Sequence, residues 1–209
     1  MPRVSEEHLE RRRQQILDAA RACFIRKGVH ETSMQDIFTE SGLSAGAVYR
    51  YFKSKNEIIE AITCAVIGDL HLFLGDLVNR DPVLPLDEVV VRMARTMVAM
   101  SGPDGTVRLA PQAWALAMYE PDLRGYVRDN ITNLRAHLIT YVRRCAEAGL
   151  LPPDTDAEAA GRTLFGILPG FLLQLLITED VDPEQLRLGV RTVINSGLLA
   201  QRDDTVPQA

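Results

Sequence analysis

The sequence predicts an all-α protein: a three-helix head carrying a helix-turn-helix, then a larger helical body, about nine helices in all. Three observations predict it. Apolar residues recur at helical spacing through nearly the whole chain, punctuated by Pro, Gly and Asp, with no convincing strand and no repeat. An apolar content of 46 % with only 6 % aromatics over 209 residues suits a packed helical protein and excludes a disordered one. Residues 32–55, TSMQDIFTESGLSAGAVYRYFKSK, read as two short helices joined by a tight turn.

The elements follow in order. RRRQQILDAARACFIRKG forms the first helix, with Ile16, Ala20, Cys23 and Phe24 on one face and Gly28 as its stop. The second starts at Thr32 or Ser33, each followed three residues later by a possible box partner, Gln35 or Asp36. Met34, Ile37 and Phe38 give it an apolar face, Gly42 ends it, and Leu43 plugs the core beneath the turn. Ser44 opens the third helix, from which Val48 and Phe52 turn inward. Ala45, Gly46, Ala47, Tyr49 and Arg50 are left outward, and small residues followed by Tyr and Arg suit close approach to a duplex. Ser54 with Glu57 makes a capping box for a fourth helix running to about Asn79, whose N-terminus beside Lys53 and Lys55 offers a phosphate site. Thr32, Ser33, Tyr51 and Lys55 are placed for phosphates, and Ser44 completes the DNA-binding set.

These pieces together resemble the N-terminal DNA-binding domain of the TetR family of bacterial transcriptional regulators. The resemblance rests on the I-L-D-A-A-x-x-x-F helix, the T-S-M-x-D-I run, S-G-L-S-x-G-x-V-Y-x-Y-F, and K-x-K-x-E, all in fixed register over roughly residues 10 to 60. Phe38 and Ser41 depart from the pattern, which usually has alanines there; the departure is expected to alter packing between the two helices without touching groove-facing positions. More loosely, W-A-L-A-M-x-x-P-D-L-R resembles BetI-type C-terminal domains of that family.

The body continues with a helix from about Leu86 to Met100, a short one from near Thr106 or Pro111 to Tyr119, and a long one from Pro121 to Ala148 capped by Gly149. Thr155 with Glu158 opens a helix to about Thr178, and Asp182-Pro183-Glu184-Gln185 opens the last, to about residue 200. The domains read as 1–53 for the DNA-binding head, 54–200 for the body, and 201–209 as a disordered tail. The helix before Thr178 is apolar nearly all round, so it is expected to be buried on more than one side. Leu164, Leu168, Phe171, Leu172 and Leu175, with Val190 and Ile194 of the last helix, are assigned to a homodimer interface of four helices, two from each copy. The resemblance implies the same dimer.

Net charge is −5, but residues 1–60 carry +1 and the rest −6, which places any nucleic-acid surface in the head. Three scattered cysteines, read as buried structural thiols, fit a reducing cytoplasm. No signal peptide opens the chain, and the apolar run Leu164–Ile177 is too short and too interrupted for a membrane span, so no membrane partner is expected. The four histidines are dispersed without metal-ligand spacing, and no catalytic constellation, phosphate loop or cofactor motif occurs; an enzyme is not expected. Trp114, the only tryptophan, stands with Met93, Met97, Met100 and Met118 at helical spacing on adjoining helices. Such residues suit an irregular apolar pocket, with His71, Arg92, Thr96, Gln112 and Asn130 as candidate polar handles.

The expected function is therefore that of a ligand-responsive repressor, a homodimer bound to a pseudo-palindromic double-stranded operator and released by a small apolar or aromatic effector. The rivals are a small-molecule binding protein with a vestigial head and an activator or corepressor-dependent regulator.

Overall fold

The computed structural model describes residues 6–102 and 105–200, without the side chains of Ile67 and of residues 194–200. The tail 201–209 and the side chain of Ile194 lie outside the described residues. Nine α-helices are present among them: α1 Glu6–Lys27, α2 Met34–Ser41, α3 Ala45–Tyr49, α4 Lys55–Val78, α5 Leu86–Ala99, α6 Ala110–Ala117, α7 Pro121–Glu147, α8 Ala157–Ile177 and α9 Pro183–Ala200. A single 3-10 turn, Thr106–Leu109, leads into α6, which joins the two starts that the sequence offered for that helix.

The chain packs as two compact units. One comprises the residues up to Leu72 with Met100–Asn133, the other Phe73–Ala99 with everything from Leu134. In the first, α1 contributes Ile16, Leu17, Ala20 and Phe24, α2 adds Ile37 and Phe38, and Val48 and Phe52 come from α3 and its exit. Ile58, Ile59 and Ile62 of α4, Leu109, Ala117 of α6, and Leu123 and Val127 of α7 complete the same cluster. This cluster runs from the first three helices through the start of α4 into residues of the middle helices. Burial of these branched and aromatic side chains, each worth about 1.5–3 kcal/mol, holds the short α2 and α3, which are below the length at which isolated helices persist.

In the second unit, α5 buries Val89, Val90, Val91, Met93 and Ala94, packing on α8 and α9. Tyr141 of α7 is almost wholly buried, and its hydroxyl donates to the Leu84 carbonyl at 2.7 Å. Gly161 is required where α8 crosses α7: a Cβ there would fall within 2.6–2.9 Å of Ile139 side-chain and backbone atoms. The cap of α8 is Asp156, whose carboxylate accepts from the Glu158 and Ala159 N–H groups at 3.0 Å each. Thr155, expected to cap it, instead donates its hydroxyl to the Pro152 carbonyl at 2.7 Å. Asp182 caps α9 as the sequence indicates, accepting from Glu184 and Gln185.

Burial within the single chain divides the residues assigned to the interface. Leu168, Phe171, Leu172 and Val190 are buried in their own unit, because α8 and α9 turn that stripe toward α5. Leu164 and Leu175 are half-buried. The apolar residues left outside are Leu173 (41 % exposed) and Ile177 (74 %), about half a turn from that stripe on α8, and Leu188 (57 %) and Val193 (73 %) on α9. A groove of about 640 Å³ runs alongside, lined by Leu164, Ile167, Phe171, Leu186 and Val190 among others. By length and composition α4 (24 residues) and α8 (21 residues) are apolar enough to cross a membrane; α8 reaches that length because it starts at Ala157, ahead of the run seen in the sequence.

Candidate nucleic-acid interface

The turn between α2 and α3 is built from local signals that the sequence shows plainly. Ser33 caps α2 in a full box: its Oγ accepts from the Asp36 N–H at 3.2 Å, and Asp36 accepts from the Ser33 N–H at 2.9 Å. Gly42 takes φ 64°, a left-handed conformation that a side chain would strain. Its N–H reaches the Thr39 carbonyl while the Leu43 N–H reaches that of Phe38, both at 3.3 Å, closing the helix end. Ser44 then caps α3 through the Ala47 N–H at 3.3 Å.

α1 braces this turn. Gln15 donates to the Ser41 carbonyl at 2.8 Å, Arg26 pairs with Glu40 at 2.6 Å, and Lys27 with Asp36 at 2.5 Å. The Lys27 ammonium, with the Ser33 N–H and hydroxyl behind it, holds the Asp36 carboxyl well below the usual carboxylate range. Arg13 lies over the Phe52 ring at 5.6 Å, anchoring the exit of α3. No sequence signal marks Gln15 or Arg13, since each acts through a partner at least 26 residues away.

Around that frame the ten assigned DNA-binding residues separate. Ala45, Gly46, Tyr49 and Arg50 are exposed on α3 and its C-cap, with Ala47 half-buried beside them. Ser44 is exposed but committed to its cap. Ser33 is exposed, with its hydroxyl engaged by Asp36 at 2.7 Å, and Tyr51 is half-buried against the head core. Two residues expected at phosphates hold partners within the protein. Thr32 is only 1 % exposed and its hydroxyl donates to the Gly28 carbonyl at 2.8 Å, so the residue before the cap is a core strut. The Lys55 ammonium turns back to the α1–α2 loop, donating to the carbonyls of Val29 (2.8 Å), His30 (3.2 Å) and Thr32 (2.8 Å). A run of lysines at a helix start suggests phosphate; three converging carbonyls are invisible in it.

Lys53, beside Lys55 at the expected phosphate site, closes two ends. Its ammonium donates to the Tyr49 carbonyl at 2.6 Å, and its N–H to Glu57 at 2.6 Å. The box expected between Ser54 and Glu57 is therefore displaced by one residue on its return leg. Phe38 also departs from expectation. Its ring meets that of Tyr49 edge-on, centroids 5.4 Å apart and planes at 70°, so the departure at this position does touch a residue expected to face the groove.

The residues singled out for a ligand fall in both units. Trp114 is half-buried against the core of the first unit, His71 and Met100 are half-buried in the same unit, and Met118 is 67 % exposed at the end of α6. Met93 is buried and Met97 half-buried in the second unit. Most polar handles are already engaged: Gln112 accepts the Val29 N–H at 2.7 Å, Arg92 pairs with Glu88 at 2.7 Å, Thr96 donates to the Arg92 carbonyl, and Asn130 to that of Tyr126. Cys64 is exposed rather than buried, its thiol beside the Tyr126 hydroxyl, whose pKa is raised by burial first and by that thiol second.

Comparison with known proteins agrees with this geometry. Residues 16–62 match the family described as bacterial regulatory proteins, tetR family, and residues 87–199 match the BetI-type transcriptional repressor C-terminal family. The HTH-type transcriptional repressor Rv1474c of Mycobacterium tuberculosis is 27 % identical over 198 residues, covering 94 % of this chain and 98 % of that one. Among solved structures, GusR of Salmonella enterica superposes with a TM-score of 0.74 at 23 % identity, over 93 % of this chain and 100 % of that one. The SmeT–triclosan complex, SmeT being the repressor of a Stenotrophomonas maltophilia efflux pump, superposes with 0.68 at 24 % identity, over 91 % of each chain. With both halves matched and the helix-turn-helix in place, the chain belongs to the TetR family of transcriptional regulators, with a C-terminal half of BetI type.

Proposed function

We propose that this regulator represses transcription as a homodimer on a pseudo-palindromic operator and lets go when a small apolar or aromatic effector binds its body. The observation that carries the DNA reading is the division of labour among the cations around the turn. Arg26, Lys27, Lys53 and Lys55 all hold protein acceptors, whereas Arg50 stands exposed at the end of α3 with none among the described residues. A guanidinium beyond a helix face as bare as Ala45 and Gly46 is suited to a guanine edge, the commonest specific contact in the major groove. Two such heads held by one dimer would read half-sites about one helical turn apart.

The dimer is supported by the exposed apolar residues Leu173, Ile177, Leu188 and Val193, two on each of α8 and α9, whose burial against a second copy would remove them from water. An apolar effector is supported by the triclosan bound to SmeT and by Trp114, half-buried against the core of the first unit. The effector acts only through unequal affinity for the DNA-competent and released states. Selection of genomic fragments on the purified chain tests the reading: enriched fragments should share an inverted repeat. Enrichment of no fragment overturns DNA recognition, and a shared motif without two-fold symmetry overturns the dimeric mode.

A further inference from the structure

We propose that Phe38, which cannot itself reach DNA, positions Tyr49 for groove reading and so sets part of the sequence preference of the head. The proposal rests on the reading that α3 enters a major groove. Tyr49 lies on a five-residue helix and is 41 % exposed, so nothing in its own helix restrains its ring on the outer side. What restrains it is the edge-on contact from α2, with ring centroids 5.4 Å apart and planes at 70°.

Both partners of that contact are fixed from behind. The Phe38 side chain is 8 % exposed and belongs to the head core, and its carbonyl receives the Leu43 N–H at 3.3 Å and the Ser41 hydroxyl at 3.1 Å. The Tyr49 carbonyl receives the Lys53 ammonium at 2.6 Å. A phenol held by a ring whose backbone is pinned to the turn reaches DNA in one orientation, with less rotamer freedom left to lose on binding. Edge-to-face geometry adds direction that an aliphatic neighbour would not supply. Phe38 is thus a positioning residue acting through Tyr49.

The test is a double-mutant cycle on the full-length chain, using the duplex that the wild-type chain selects from a randomised pool and a scrambled duplex of equal length. F38L keeps the core filled and removes the ring edge; F38M replaces it if F38L melts below the assay temperature. The expected result is a three- to ten-fold loss of affinity for the selected duplex, little change on the scrambled one, and no further loss when the same substitution is made in a Y49A background. In chains carrying 3-fluorotyrosine, the Tyr49 signal, assigned with Y49F, should move in F38L without DNA present, since it loses the Phe38 ring current. Equal losses on both duplexes, or the same loss with and without Tyr49, overturn the proposal and leave Phe38 as core alone. A wild-type chain that selects no duplex overturns the DNA reading first and this proposal with it, so the two failures are told apart by the wild-type arm.

Discussion

Replacing Lys55 by Met separates two roles that the sequence alone confuses. The substitution keeps most of the stem and removes the ammonium that donates to the Val29, His30 and Thr32 carbonyls. The Val29 and Thr32 bonds are part-buried, whereas the His30 bond is exposed and water can replace it. A part-buried acceptor left without its donor costs about 1–2 kcal/mol, at the lower end of the range for buried groups, so two of them predict a loss of about 2–4 kcal/mol. For a chain of this length each kcal/mol moves the melting midpoint by about 2–4 °C, which gives a fall of roughly 4–16 °C. The assay is calorimetric melting beside DNA titrations at several salt concentrations. A structural Lys55 lowers the midpoint and leaves the slope of log affinity against log salt unchanged. An unchanged midpoint, with the slope shallower by about 0.9, would mean that the ammonium serves a phosphate in solution and that the carbonyl cradle is not its working partner.

Four further outcomes are expected. Arg50→Ala should cost about 1–3 kcal/mol on the selected duplex and relax preference at one base pair, read by competition with single-base variants. Gln112→Leu should lower the melting midpoint, since it orphans the Val29 N–H bonded at 2.7 Å; an unbonded part-buried donor costs about 1–3 kcal/mol. Ile177→Glu should yield folded monomers by sedimentation with weakened DNA binding, whereas Phe171→Glu, 3 % exposed in its own unit, should unfold the chain; folded monomers from Phe171→Glu would return the inner stripe to the interface. Asp36 has its carboxyl pKa lowered from an ordinary value of 3.8, so the stability it contributes is fully present above that value and is lost as pH falls through the lower folded value. Melts of wild type and Asp36→Asn should therefore begin to converge as pH drops below about 4 and go on converging toward the lower folded value, and a gap that does not narrow at all over that range would show that Asp36 acts through something other than its charge.

How far the sequence reaches depends on the range of each signal. Caps are written within three or four residues, so Ser44, Gly42, Asp182 and Gly149 are read correctly and the α2 cap is narrowed to Thr32 or Ser33, whereas Thr155 against its neighbour Asp156 and the return leg of the Ser54–Glu57 box go astray. Periodicity locates α8 and α9 but does not say which way a helix faces when it is apolar nearly all round. Leu168–Phe171–Leu172 and Leu173–Ile177 are equally hydrophobic stripes, and only the packing of α5 on α8 makes the first inner and the second outer. Polar side chains are the least legible. Lys55 and Gln112 both look free in the sequence, yet each ends on the loop after α1, 26 and 83 residues away.

The reading helix shows why these long-range ties matter. Five residues make scarcely more than one turn, and nucleation is too costly for such a segment to hold its own shape or direction. Its position is imposed at every point from outside. Ser44 and the left-handed Gly42 set its entry, Val48 and Phe52 plug it into the core, Arg13 covers Phe52, and Lys53 ties off its last carbonyl. The preceding helix is fastened in turn to α1 by Gln15, Arg26 and Lys27, all on its exposed or half-exposed rim. Exposed ion pairs of this kind contribute about 0–1 kcal/mol each, so they do little for overall stability, and their expected effect is on the angle of the turn that carries Tyr49 and Arg50. Neutralising Arg26 or Lys27 should accordingly change melting little and DNA affinity more, a separation that follows from a recognition surface whose geometry is borrowed from its neighbours.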